Sequence, residues 1–181
     1  MQKNLGNGIV RTAILKRILV YSLLFLFLGT LQCAFFPLLD FCPATPDLIM
    51  TALLAILLLD SNAAAMTCAV CAGFFIDAIG ASSLALSPII YFLFVAIIGT
   101  FSGKMLKSLA SFAILLAPSA LFRAVATYIC IFASERALPH AFVFTDILLP
   151  EALMTVLLAV PVYFLTKLCT VPLEARGKFT F

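Results

Sequence analysis

The chain has 181 residues, 65% of them hydrophobic and 10% charged, with a net charge of +3 and a mean hydropathy of +1.23. Ordinary soluble domains are about 45–50% apolar and about 25% charged, so a soluble globular fold is excluded. Outside the apolar runs there remain only short basic ends and small loops, too little for a separate domain that holds a nucleotide, a nucleic acid or a catalytic core.

The pattern predicts an all-α, polytopic helical membrane protein: one integral membrane domain over 1–181 with six transmembrane helices and short loops, each span taking roughly 20 apolar residues. The first run, 18–39, follows Lys16-Arg17 and contains LVYSLLFLFLGTLQCAFFPLL. It is too long for a signal-peptide core and has no small-x-small cleavage site, so it is expected to remain as an anchor. Gln32 before Cys33 argues against lipoprotein processing, which needs a small residue there. The second run, 47–59, opens at Pro46-Asp47, where a carboxylate suits the positive end of a helix, and is short for a full span. Asp60-Ser61-Asn62 is a turn signal, and the third run, 63–79, follows it. Residues 47–79 thus read as a helical hairpin; a re-entrant loop there would leave the downstream topology unchanged.

The fourth run, 88–101, is entered through Ser87-Pro88, with proline suited to a first helical turn, and ends in Ser102-Gly103-Lys104. The fifth, 111–132, carries Pro118 and Arg123; the sixth, 147–169, carries Pro150-Glu151 and Pro161. Kinks are expected near Pro118 and Pro161. With six spans, Lys3, Arg11, Lys16, Arg17, Lys104, Lys107, Lys167, Arg176 and Lys178 fall on one side and Arg136 on the other. The excess of basic residues marks the cytoplasmic face, so both termini are expected in the cytoplasm. The same basic ends suit contact with anionic membrane lipid. Asp40, Asp47, Asp77, Glu135 and Asp146 then lie toward the opposite side.

Ser61, Ala65, Ala69, Gly73 and Asp77 recur every fourth residue, a row of small side chains that lets helices approach closely, inside the protomer or across a seam. Gly99 and Gly103 repeat the spacing. Arg123 stands near the middle of a span, where a charge costs at least about 2.5–3.5 kcal/mol, so it needs a partner. Asp77 and Glu151 are the acidic candidates, and the group reads either as a recognition site or as an ion pair that fixes helix register. His140 has no second His or nearby Cys to complete a metal set, and Cys68, Cys71, Cys130 and Cys169 lie in apolar runs where Cys behaves as a small hydrophobe. No Ser-His-acid set, phosphate loop or HExxH occurs. No enzyme, cofactor, metal or nucleic-acid partner is therefore expected.

The order of the pieces resembles the MreD family of bacterial rod-shape-determining membrane proteins. The pieces are PDLIMTALLAILLL from Pro46, GFFIDAIG from Gly73 to Gly80, LALSPIIYFLFVAIIG with Tyr91 and Gly99, and LLPEALMTVLLAVPVYFL. Arg123 belongs to none of these pieces, and Ala81-Ser82-Ser83 stands where the family tends to place glycine. The resemblance implies a non-enzymatic scaffold of lateral wall growth in the bacterial inner membrane. Its implied partners are MreC, the actin-like MreB directly or indirectly, and the peptidoglycan synthases of the elongation complex. Gly73, Asp77, Gly80, Tyr91, Gly99, Arg123 and Glu151 are the residues expected to serve partner binding or internal packing. The alternative is a substrate-binding subunit of an energy-coupling-factor vitamin transporter, with Arg123, Glu151, Asp77, Tyr91 and Tyr128 as pocket lining, although the chain lacks Trp and an AxxxA docking face in its first span.

Overall fold

The computed structural model describes residues 2–38, 45–80, 86–102, 107–135 and 148–177. Among them the chain is helical apart from short joints, with no strand. Helix α1 spans Gln2–Thr30 and continues as a π-helical turn, Leu31–Phe35, and a 3-10 turn, Phe36–Leu38. It is followed by α2 (Leu48–Leu59), α3 (Asn62–Gly80), α4 (Ser87–Ser102), α5 (Leu109–Glu135) and α6 (Leu149–Gly177). The stretches Ile14–Leu38, Asn62–Ile79, Leu109–Cys130 and Leu149–Thr170 are long and apolar enough to cross a membrane, while α2 and α4 are shorter apolar helices. The chain is a multi-pass helical membrane protein.

Helix boundaries fall close to the expected runs except in the first and last helices, the last running on to Gly177 beyond the expected 169. The first helix begins at Gln2, far ahead of Ile18, because the polar, basic stretch before the apolar run continues the same helix. Helices α5 and α6 run unbroken through Pro118 and Pro161. Next to Pro118, the buried Ser119 hydroxyl donates to the Leu115 carbonyl at 2.6 Å and so is satisfied within its own helix. The expectations placed on Asp40, Gly103, Lys104, Arg136, His140 and Asp146 lie outside the described residues.

Helix α2 is the axis of the bundle. Its sequence, LIMTALLAILLL, is apolar on every side, the signature of a helix with no solvent or lipid face. All its residues are buried, and α1, α3, α4, α5 and α6 all pack against it. Twelve residues at 1.5 Å each make it about 18 Å long, well short of the roughly 30 Å of a bilayer core. Its N-terminal end lies inside the bundle while its C-terminal end runs into the exposed Ser61-Asn62 turn, and the free backbone groups of the buried end must be satisfied by protein.

At the C-terminal end Lys107 Nζ donates to the Leu59 carbonyl at 2.6 Å. Asp60 closes the turn, accepting from the Tyr21 hydroxyl at 2.8 Å and pairing with Arg17 at 3.3 Å. The large exposed side chains of α1, α5 and α6, such as Leu23, Leu121, Ile129, Leu157 and Leu168, point outward. An apolar belt of this kind faces lipid, since soluble monomers rarely expose contiguous apolar patches above a few hundred Å².

The row of small residues on α3 is spent inside the protomer. Ala65 and Ala69 are fully buried, and a Cβ on Gly73 would come within 2.3 Å of Pro88 Cα and 2.5 Å of Pro88 N. At the other end of the same helix pair, Asn62 Nδ2 donates to the Gly99 carbonyl at 3.3 Å. Helices α3 and α4 thus lie antiparallel and nearly backbone to backbone, as small residues permit in lipid.

Candidate functional site: the polar centre at the start of α2

The four amides that open α2 have no backbone partner within the helix; three find one on other elements of the bundle and the fourth on the side chain of the capping residue. Asp47 N donates to Thr155 Oγ1 at 3.1 Å, Leu48 N and Ile49 N to Gln32 Oε1 at 3.0 and 3.3 Å, and Met50 N to Asp47 Oδ1 at 2.9 Å. Asp47 is thus an N-cap, as its place after Pro46 predicts. Gln32 completes the cap from the π-helical turn that ends α1. Thr155 in turn donates to the Glu151 carbonyl at 2.7 Å.

The Asp47 carboxylate is also the hub of a charged cluster. Tyr91 donates its hydroxyl to Oδ1 at 3.2 Å, and Arg123 Nε lies 3.1 Å from Oδ2. The same Nε donates to Glu151 Oε1 at 2.9 Å. The Asp47 side chain is fully buried and that of Glu151 is 9% exposed, so both acids need the arginine close by. One guanidinium therefore ties α5 to α2 and α6, and Tyr91 brings in α4. The cavity beside it, bounded by Thr51, Ser119, Arg123 and Glu151, has a volume of about 20 Å³. One water needs about 10–15 Å³, so the space suits a single bridging water.

Of the expected site residues, Tyr91, Arg123 and Glu151 come together here. Asp77 does not supply the second acid of the arginine: its carboxylate accepts from Ser87 N at 3.2 Å, at the α3–α4 joint, and Asp47 takes the role instead. Gly73 and Gly99 belong to the α3–α4 contact, and Gly80 ends α3. Cys71 is exposed and not a buried hydrophobe, and among the described residues Cys33, Cys68, Cys71, Cys130 and Cys169 are all free thiols. No group of three or more His, Cys, Asp or Glu suited to a metal occurs among the described residues.

Asp47 and Gln32 were the residues whose part the sequence reading missed. The usable signal was the shortness of the second run joined to its unbroken apolar character. A helix too short to reach the surface begins in the interior, so its capping carboxylate is buried and requires a cation. The elements and site together define a helical membrane bundle organised around an ion-paired polar centre. No family model, curated protein or solved structure matches the chain.

Proposed function

We propose that the chain is a non-enzymatic membrane scaffold of the MreD kind, acting in the lateral wall elongation machinery of a bacterial inner membrane. On this reading it binds MreC, MreB directly or indirectly, and peptidoglycan synthases, through six spans with both termini in the cytoplasm. The observation that carries the reading is where the pieces of the resemblance meet. PDLIM supplies Asp47, SPIIYFLF supplies Tyr91 and LLPEALM supplies Glu151, three separate stretches joined in one network: Tyr91 hydrogen-bonds to Asp47, and Arg123 pairs with both Asp47 and Glu151. A polar centre locked by its own hydrogen bonds, with room for about one water, suits a protein whose output is its outer surface. The polar centre itself suits a vitamin-binding subunit less well, since small-molecule pockets are typically about 300–1,000 Å³, and the larger groove between α1 and α3 contains none of Asp77, Tyr91, Arg123, Tyr128 and Glu151, the residues that alternative would use.

A mild-detergent pull-down of the tagged protein from its native membrane, followed by mass spectrometry, tests this. Co-purification of MreC and wall synthases is the expected result; coupling-factor ATPases or a retained small molecule would overturn it. Orientation is tested separately with a membrane-impermeant thiol reagent on a variant whose own cysteines have been replaced. A cysteine placed at His140 should react in intact cells and one placed at Lys107 should not. The reverse pattern would place the termini outside.

A further inference from the structure

A second feature lies away from the polar centre and goes beyond the scaffold reading. Helices α1 and α3 touch where Gly29 meets the Phe75 ring; a Cβ on Gly29 would come within 2.7 Å of that ring. Toward their other ends they separate and leave a groove of about 690 Å³ that reaches down to Arg17 and Ser61. Its α3 wall is built from small side chains, among them Ala64, Thr67 and Cys71, and its α1 wall includes Ile18 and Phe25. The Thr67 hydroxyl is turned back on the Ala63 carbonyl at 2.9 Å, so the wall offers a hydrocarbon no unsatisfied donor there.

Length and charge decide the occupant. The groove follows α1 from Ile14 to Leu26, a rise of about 18 Å at 1.5 Å per residue. Half of a bilayer core of roughly 30 Å is about 15 Å, so the groove serves one leaflet, and the Gly29–Phe75 contact closes it where a full transmembrane helix would have to continue. At the mouth stands Arg17, with 37% of its side chain exposed and one terminal nitrogen on Asp60. A guanidinium has five N–H donors, so others remain for a phosphate. Lys16, beside it in sequence, is exposed. We propose that this groove binds an anionic phospholipid of the leaflet at the Arg17 end, one acyl chain between α1 and α3 and the headgroup phosphate on Arg17. The inference holds whichever face of the membrane that leaflet belongs to, and it does not depend on the scaffold reading.

Native mass spectrometry of the purified protein tests it, with phosphatidylglycerol and phosphatidylcholine of identical chains titrated into the micelles. Phosphatidylglycerol should be retained about fivefold more tightly, the preference that one basic residue near an anionic headgroup confers. Arg17→Gln should bring the two lipids level. Cys71→Phe and Thr67→Leu, which fill the groove from its exposed side, should remove the tight adduct while the protein keeps its melting temperature. Equal retention of the two lipids by the unaltered protein overturns the proposal, and so do adducts unchanged in both groove-filling variants. A dimer peak that Cys71→Phe abolishes would also overturn it and assign the groove to a second copy. Should either groove-filling variant fail to fold, the comparison of lipids on the unaltered protein still decides.

Discussion

Asp47→Ala is expected to destabilise the detergent-solubilised protein by about 3–5 kcal/mol, the range for removing one partner of a buried ion pair. The substitution takes away two things together. It removes the side-chain acceptor for Met50 N, about 1 kcal/mol for a lost N-cap. It also leaves Arg123 with Glu151 as its remaining ion-pair partner and the Tyr91 hydroxyl without its acceptor. Asp47→Asn keeps a capping oxygen and an acceptor for Tyr91 but loses the charge, so its cost should be intermediate. Glu151→Gln should cost least of the three, because Asp47 remains to balance the guanidinium. Thermal unfolding followed by size-exclusion chromatography ranks them, and an Asp47→Ala variant that melts with the unaltered protein would refute the hub.

Arg123→Leu should insert into the membrane, since removing a mid-span charge eases insertion. Its defect should nevertheless be one of stability, because two buried carboxylates are left facing each other without a cation. Combining Arg123→Leu with Asp47→Asn should recover part of the loss, the non-additivity expected of residues in one network. The sequence left two roles open for the arginine, recognition or register. Its partners lie within the chain on helices far apart in sequence, the arrangement that fixes register.

Much of this bundle is legible from the sequence because lipid imposes strict local rules. Apolar runs, the Asp60-Ser61-Asn62 turn and the Pro46-Asp47 start gave the α2–α3 hairpin within a few residues, and Arg123 with Glu151 followed from the cost of a lone charge. What the sequence concealed was depth. Asp47 reads as an interfacial residue when every helix is taken to reach the surface, and Asp77 then looks equally placed to meet the arginine. Depth depends on which helix is central, which is a property of packing. Gln32 was hidden for a related reason: a glutamine at the end of an apolar run carries no sign of the helix it caps, because the amides it meets lie 16 and 17 residues further along the chain.

The row of small residues on α3 leads to the second large effect: Gly73→Ala should cost about 3 kcal/mol, at the upper end of ordinary overpacking. The new methyl would lie 2.3–2.8 Å from Pro88 Cα, Pro88 N and Ser87 C, all backbone atoms. No rotamer change relieves such a clash, so the N-terminus of α4 has to move away from α3. That displacement strains the Ser87 N bond to Asp77 and shifts Tyr91, one turn further along α4, away from Asp47. The other two glycines provide a graded control. At Gly29 the nearest atom is a Phe75 ring carbon at 2.7 Å, a side chain that can rotate, so Gly29→Ala should cost less. At Gly99 the nearest is the Asn62 amide at 3.3 Å, and Gly99→Ala should change the melting temperature least. The order Gly73, Gly29, Gly99 follows from whether the neighbour can yield, and not from glycine content or helix propensity, which would make the three alike. Equal melting temperatures for the three alanine variants would mean that α3 and α4 are not held backbone to backbone, and that the small-residue row serves a seam outside the protomer.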